Sequence, residues 1–139
     1  MRHRHILLAA ALLFAAGSAA ADPARDSILA DLADQAKQAD ATFAGFSADR
    51  GGAFFLAAQA GGDPKTPACT ACHTDNPKTV GQNAKTGKPI DPMAVSANPA
   101  RFTNKDDVEK WFRRNCKEVL GRECTALEKG DFITFMASQ

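Results

Sequence analysis

The residues best suited to chemistry lie in one short stretch, Cys69-Thr70-Ala71-Cys72-His73. Two cysteines separated by two residues and followed at once by histidine form the attachment pattern of c-type haem, in which both thiols add to porphyrin vinyl groups. On one helical turn the two sulfur atoms project to the same side, and the adjacent imidazole is placed to bind the iron from the proximal side. The sequence therefore predicts one haem c, bound covalently through Cys69 and Cys72 and ligated by His73.

A redox dithiol and a zinc site are the alternative interpretations of this pattern. Two further cysteines, Cys116 and Cys124, could join His73 as metal ligands. These two cysteines are separated by seven residues, whereas zinc-binding pairs are usually separated by about two to four. No alternating or β-branched run precedes Cys69 to build the strand that a thioredoxin-type site needs. Both observations favour the haem.

The N-terminal residues have the pattern of a secretory signal peptide. A basic start over residues 1–5 precedes an apolar run over residues 6–16 and small residues that end at Ala21. The apolar run is too short for a stable membrane span. We expect residues 1–21 to be removed on export, which leaves residues 22–139 as one periplasmic domain without a membrane span.

Removal of the signal peptide changes two counts. The whole chain has 17 basic and 16 acidic residues, and the loss of Arg2 and Arg4 leaves the mature protein close to neutral. This charge balance gives no electrostatic basis for nucleic-acid binding. His3 and His5 are lost as well, so His73 is the only histidine of the mature chain. Two histidines of this chain therefore cannot ligate the haem together.

Export also bears on the two remaining cysteines. Once Cys69 and Cys72 carry the haem, Cys116 and Cys124 are the only cysteines that can pair in an oxidising compartment. A disulfide between them would stabilise the fold by about 2.5 kcal/mol in the loop-entropy model. Two free thiols are the other possibility, and the residues alone leave both states open.

Helical periodicity predicts an all-α fold. A helix is expected over Pro23–Ala39, and a second is expected to begin at Ser47 and to be broken at residues 61–64. Two further helices finish the chain, and Thr103 and Thr125, each followed three residues later by an acid, are expected to start them with capping boxes. We expect no strand.

Residues 74–101 contain many turn-forming residues and little periodicity. We interpret them as a long loop that wraps the haem, with Ile90, Met93 and Val95 pointing inward. Three lysines of this loop are candidates for docking an electron-transfer partner near the haem edge: Lys78, Lys85 and Lys88.

The helix that begins near Thr103 carries an apolar stripe at helical spacing, and the stripe contains one polar residue. Its members are Val108, Trp111, Phe112, Asn115 and Val119. A buried amide needs a partner, because burying it without one costs about 1–3 kcal/mol. Asn115 either caps the helix or bonds a carbonyl, as Asn often does, or it reaches the iron or a ligand bound there. The opposite face carries four basic residues and is interpreted as a solvated surface: Lys110, Arg113, Arg114 and Lys117.

Several stretches of the chain together resemble the sphaeroides haem protein family of small oxygen-binding c-type cytochromes. They are residues 61–67 before the haem motif, 101–103, 108–116, 121–125 and 128–129. The resemblance implies a class I cytochrome c fold, a proximal histidine at His73 and a distal ligand at Asn115. It also implies a disulfide between Cys116 and Cys124.

The resemblance further implies a function. In that family the distal Asn ligates ferric iron and leaves on reduction, so that oxygen or nitric oxide can bind to the ferrous haem. Carbon monoxide is a third diatomic ligand to expect at such an open position. A dihaem cytochrome c and a membrane cytochrome b are the implied electron donors.

Met93 supports a competing hypothesis. A methionine in this loop is the usual distal ligand of class I cytochromes, so the chain could be an ordinary electron carrier with His73 and Met93 as ligands and no open site. Met136 lies in an apolar helix and is expected to be core. A third hypothesis is an enzyme that reduces oxygen or nitric oxide, but no acid or base beside the iron is identifiable in the sequence.

Overall fold

The computed structural model describes residues 21–139. The predicted signal peptide, except for Ala21, lies outside the described residues. Five helices and one small hairpin make up the described chain: α1 Pro23–Ala39, α2 Ala48–Leu56, α3 Thr70–His73, β1 Gly81–Gln82, β2 Pro89–Ile90, α4 Lys105–Leu120 and α5 Ala126–Ser138. The all-α prediction is confirmed. The expectation of no strand is wrong in one detail, because β1 and β2 pair antiparallel over two residues each.

Local signals determine where α1 begins and which face it buries. The Asp22 carboxylate accepts hydrogen bonds from the backbone N–H groups of Ala24 (2.9 Å) and Arg25 (3.3 Å), and Pro23 occupies the first turn, where a missing N–H costs nothing. Ile28 and Leu32 are then buried at i and i+4. They pack with Val108 of α4 and Ile133 of α5 in one core cluster.

Helix α2 packs directly on α5 because glycine lets the two backbones approach. A Cβ atom on Gly51 would lie 2.0 Å from the carbonyl oxygen of Asp131. The Asp131 carboxylate is buried and accepts hydrogen bonds from the Ser47 backbone N–H (2.7 Å) and from the Arg50 guanidinium (2.7 and 2.8 Å). This pairing raises the pKa of Arg50. The helix ends at Leu56, earlier than the break expected at residues 61–64.

The two C-terminal helices begin differently from each other. Thr125 and Glu128 form the predicted capping box of α5. The predicted capping box at Thr103 is wrong, because Asn104 caps α4 by accepting from the Asp107 N–H (2.9 Å). The Thr103 hydroxyl donates instead to the Ala100 carbonyl (2.8 Å), so it is not available to the first turn.

The long loop is anchored to the helices by backbone contacts. Val95 is buried, and its N–H donates to the Met136 carbonyl of α5 (3.0 Å). The next anchor is Arg25, a buried α1 side chain that donates to the carbonyls of Pro99 (2.8 Å) and Arg101 (3.0 and 3.2 Å). A buried guanidinium is tolerated where carbonyls accept its N–H groups. The end of the loop is thus held against α1.

The α2–α5 contact yields a stability prediction. Gly51→Ala should lower the free energy of unfolding by about 2 kcal/mol or more, because the new methyl overlaps the Asp131 backbone, which cannot give way as a side chain could. Gly52→Ala is the matched control: its Cβ meets only the Phe135 ring, at 3.1 Å, and it brings the same gain in helix propensity. Urea unfolding measures both variants, and equal effects would contradict this account of the packing.

Candidate functional site

The predicted haem motif forms a single helical turn. Cys69 stands at the N-terminal cap of α3, and its carbonyl accepts the N–H groups of Cys72 (3.3 Å) and His73 (3.1 Å). Thr74 follows with a φ of 60°, so the turn stops directly after the histidine. Cys69, Cys72 and His73 are all partly buried. The two thiols and the imidazole therefore lie within one rigid turn, as attachment to one face and edge of a porphyrin requires.

The surroundings of His73 and Cys69 favour their uncharged forms. Burial, and to a lesser extent the positive charge of Arg101, lowers the pKa of His73 to about 4. Burial raises the pKa of the Cys69 thiol to about 11. A histidine with a depressed pKa is uncharged at every pH well above 4, and the uncharged imidazole is the form whose lone pair binds iron. The donor chemistry of the turn therefore fits a haem iron.

The described residues do not provide a ligand set for zinc. Cys116 and Cys124 are joined in a disulfide, with Cα atoms 5.6 Å apart. Within residues 21–139, no group of three or more His, Cys, Asp or Glu side chains could hold a metal ion. The two thiols that remain free are Cys69 and Cys72. A zinc site would need further ligands that the described fold does not bring to this turn.

The hairpin that follows the motif lies against it. Gly81 in β1 is buried, and a Cβ there would lie 2.2 Å from the Cys72 carbonyl oxygen. In the loop between the strands, the Ala84 N–H points at the Cys72 sulfur over 3.5 Å. The hairpin thus covers the cysteine end of the motif.

The segment before the motif packs on the end of α4. A Cβ on Gly62 would lie 2.1 Å from the Glu118 carbonyl oxygen, and that carbonyl accepts the Asp63 N–H at 2.7 Å. Gly121 ends α4 with a φ of 71°, against the carbonyl of Gly61. The backbone of the last turn of α4 is therefore held on one side by residues 61–63 and on another by the disulfide at Cys116.

Asn115 lies on α4 outside the buried face. The buried residues of this helix are Val108, Cys116, Val119 and Leu120. Asn115 and Trp111 are exposed in the polypeptide, the indole to 48%. Within the polypeptide the predicted stripe is therefore divided: Val108 and Val119 face the core on the Cys116 side, and Trp111 and Asn115 do not.

Trp111 and Asn115 share an exposed strip with the basic face. The Lys110 ammonium and the Arg114 guanidinium both lie over the Trp111 ring, at 5.1 and 5.3 Å from its centroid. These cation–π contacts hold the indole beside Asn115, one turn away on the same side of the helix. The indole and the carboxamide are thus both partly accessible on this side of α4.

Glu118, one turn after Asn115, shows where this strip of α4 faces. Its carboxylate is 2.7 Å from the Lys85 ammonium, and Lys85 also lies 3.5 Å from Asp63. Lys85 follows Ala84, the residue at the Cys72 sulfur. The strip with Asn115 is therefore on the side of α4 that meets the hairpin next to the haem motif. Because Lys85 is engaged in these ion pairs, it is a weaker candidate than Lys78 and Lys88 for docking a partner protein. Lys78 and Lys88 are both exposed.

Met93 has a different environment. Its N–H donates to the carbonyl of Pro77 (2.9 Å), four residues after His73. Its side chain is partly buried and packs on the cluster of Phe55, Phe132 and Met136, which Cys69 also contacts. Of the loop residues expected to point inward, Val95 is buried, while Ile90 and Met93 are only partly so. Met136 is fully buried, as predicted for a core residue.

Arg101 is a site residue that the pattern analysis missed. It lies close enough for its charge to depress the pKa of His73, and it donates to the carbonyls of Pro92 (2.9 Å) and Asp91 (2.5 Å). Partial burial lowers its own pKa. The only signal in the sequence is its position at the start of one of the stretches that carry the family resemblance.

A helical fold built around a Cys-x-x-Cys-His turn, with the next long helix facing the attachment segment, defines a small c-type cytochrome. Comparison with known proteins shows to which family of c-type cytochromes the chain belongs. A family model described as "Domain of unknown function (DUF1924)" matches residues 41–136. Cytochrome c-type protein SHP of Cereibacter sphaeroides is 51% identical over 92 residues, which cover 66% of this chain and 70% of that protein. The chain belongs to this family of SHP-like c-type cytochromes, and it carries one covalently attached haem c.

Solved structures agree with the assignment. The structure of oxidized SHP, described as an oxygen binding cytochrome c, has a TM-score of 0.75 at 43% identity and covers 83% of this chain and 96% of that one. Oxidized cytochrome c'' from Methylophilus methylotrophus has a TM-score of 0.71 at 34% identity, with coverage of 81% and 92%. In sequence, cytochrome c'' is 44% identical over 75 residues, or 54% of this chain and 52% of that protein. The predicted cytochrome c fold is thereby confirmed.

Within residues 21–139, no helix is both long enough and apolar enough to cross a membrane.

The disulfide beside Asn115 is directly testable. Without reduction, the denatured protein should take up no thiol reagent, and its intact mass should rise by two hydrogen atoms on reduction. Replacing both Cys116 and Cys124 with Ala should lower the free energy of unfolding by about 2.5 kcal/mol. Two labels on the unreduced protein would show free thiols instead.

Proposed function

We propose that this protein is a periplasmic monohaem cytochrome that accepts electrons and binds oxygen or nitric oxide at the ferrous haem after a distal Asn ligand has left. Cys69 and Cys72 hold the haem, His73 is the proximal ligand and Asn115 is the distal ligand of the ferric form. A haem supplies an iron that changes between ferric and ferrous states and, with one axial position open, takes diatomic ligands.

The position of Asn115 carries this proposal. Its carboxamide is accessible on α4, one turn before Glu118. Glu118 pairs with Lys85 of the hairpin, and the neighbouring Ala84 N–H points at the Cys72 sulfur. Within residues 21–139, Asn115 neither caps a helix nor bonds a carbonyl with its side chain. Gly121 ends the helix instead of Asn115, and no side-chain bond from Asn115 to a carbonyl is present. An amide next to the disulfide-linked Cys116 is thus left available for the iron.

The chemistry of the amide suits a ligand that must leave. A carboxamide oxygen is a neutral, hard donor, which favours ferric over ferrous iron and binds weakly. The backbone beside it is fixed by the disulfide and by residues 61–63. With the backbone held in this way, the amide would leave the iron by rotation of the Asn115 side chain rather than by displacement of α4. Once rotated, the amide N–H group can donate a hydrogen bond to a diatomic ligand.

The relatives support the same proposal. SHP is described as an oxygen binding cytochrome c, and the structural match covers 96% of the SHP chain at 43% sequence identity. A dihaem cytochrome c and a membrane cytochrome b are the electron donors we propose. The periplasm is the compartment we propose, because the N-terminal residues have the signal-peptide pattern and a disulfide persists in oxidising compartments.

The ordinary electron carrier with Met93 as distal ligand is the competing function. Its support is the position of Met93 in the haem-wrapping loop. Against it, the Met93 backbone bonds to Pro77, close in the chain to His73, and its side chain packs among Phe55, Phe132 and Met136 on the cluster that also contacts Cys69. A methionine committed to that cluster would have to leave it in order to bind the distal side of the iron.

Replacing each candidate ligand distinguishes the two functions. Asn115→Ala should convert the ferric haem to a form without its native sixth protein ligand, seen as a shifted Soret band and a high-spin signal in electron paramagnetic resonance. Met93→Leu conserves volume in the apolar cluster, should cost less than about 1.5 kcal/mol of stability, and should leave the ferric spectrum unchanged. The opposite pattern would establish Met93 as the ligand.

The ferrous form should be five-coordinate and open. Dithionite-reduced protein is expected to show a high-spin spectrum and to bind carbon monoxide without a slow ligand-release phase, since the weak amide donor has already left. Visible spectra with and without carbon monoxide measure this directly. A low-spin ferrous form indifferent to carbon monoxide would overturn the open-site proposal.

A further inference from the structure

An ion-pair cluster joins the hairpin to the helix that carries Asn115. The Lys85 ammonium lies 2.7 Å from Glu118 Oε1 and 3.5 Å from Asp63 Oδ2. Thr66 is buried, with only 2% of its surface exposed, and its hydroxyl donates to the same Glu118 oxygen at 3.3 Å. Glu118 is thus contacted by a charged residue that follows the haem motif, Lys85, and by a neutral residue that precedes it, Thr66.

The two ends of the Lys85–Glu118 contact are both close to the ligands of the haem. At one end, the neighbouring Ala84 N–H points at the Cys72 sulfur. At the other end, Glu118 lies three residues after Asn115 on α4, which places the two side chains on the same side of the helix. The contact therefore spans from the cysteine end of the motif to the turn next to the distal Asn.

We propose that Lys85 is a positioning residue for the distal ligand: through Glu118 it holds the Asn115 turn of α4 against the haem-attachment segment and favours the Asn-ligated ferric state. This inference rests on the function proposed above, in which Asn115 ligates ferric iron. The disulfide holds the backbone directly after Asn115, and residues 61–63 hold the following turn, which contains Glu118. Lys85 adds a link between this turn and the hairpin on the other side of the motif.

The expected effect is modest and salt-sensitive. The Lys85 side chain is 59% exposed and that of Glu118 33%, so solvent screens their attraction, as it does for surface ion pairs in general. Such pairs change an equilibrium by about two- to fivefold. The sensitivity to salt is itself diagnostic, because a purely steric role for the lysine would not respond to ionic strength.

The test is an imidazole titration of the haem-loaded ferric protein. Imidazole is a neutral iron ligand that must displace Asn115, so its affinity reports how firmly the amide is held. Lys85→Gln should bind imidazole about two- to fivefold more tightly than the parent protein at low salt. Near 1 M salt, where the Debye length falls to about 3 Å, the parent protein should approach the variant.

Three matched variants control for charge and for structure. Lys88→Gln removes a lysine from the same loop that forms no ion pair within residues 21–139, and it should bind imidazole as the parent does. Lys85→Arg keeps the charge and should also behave as the parent does. The exchange of charges in Lys85→Glu with Glu118→Lys should return the affinity part of the way to that of the parent, because the new carboxylate at position 85 also lies near Asp63. If these control variants bound imidazole with the same affinity as Lys85→Gln, the inference would be overturned.

The Asn115→Ala background separates this inference from the function beneath it. If Asn115 is the ligand, Asn115→Ala binds imidazole more tightly, and adding Lys85→Gln to it changes nothing further. If Asn115→Ala behaves as the parent does, the distal-ligand proposal fails, and the role of Lys85 fails with it. If Asn115→Ala binds more tightly but Lys85→Gln matches the parent, or acts equally in both backgrounds, only the positioning role is overturned.

Discussion

The contact between residues 61–63 and the last turn of α4 is the constraint on which the haem site depends. Three glycines make it possible, because a side chain on Gly61, Gly62 or Gly121 would occupy the space of the opposing backbone, with approaches of 2.0–2.2 Å. The Asp63 N–H to Glu118 carbonyl bond, at 2.7 Å, closes the contact. Because the haem motif follows a few residues later in the chain, this contact brings the attachment turn and the Asn115 helix into one neighbourhood.

Much of this arrangement is local and could be predicted from the sequence. The bounds of α1 follow from Asp22, Pro23 and the apolar spacing, and the α5 capping box follows from Thr125 and Glu128. The haem turn follows from its five residues alone. Where local reasoning failed, a neighbour had already engaged the group: the Thr103 hydroxyl bonds to Ala100, so the cap moved one residue on to Asn104.

The contacts that complete the site are long-range and leave little trace in a pattern. Arg25 looks like an ordinary surface residue in the first turn of a helix, yet it bonds to carbonyls more than seventy positions away. Lys85 looks like a solvated loop lysine, yet it pairs with α4. Asn115 lies at the spacing of a buried stripe, but the core lies on the Cys116 side of α4, and the spacing alone does not say which side that will be. These residues depend on where distant segments meet.

Helix α1 adds a consequence for how such proteins can diverge. It lies outside residues 41–136, the part that the family model matches, yet its Arg25 supplies the donors for the Pro99 and Arg101 carbonyls, and the Arg101 side chain in turn acts on His73. A version of this fold shortened to residues 41–136 would leave the Pro99 and Arg101 carbonyls to bond with water, and the backbone at Arg101 would be held less firmly. Substitutions in α1 can therefore change the electrostatic surroundings of His73 while the haem-binding residues stay the same.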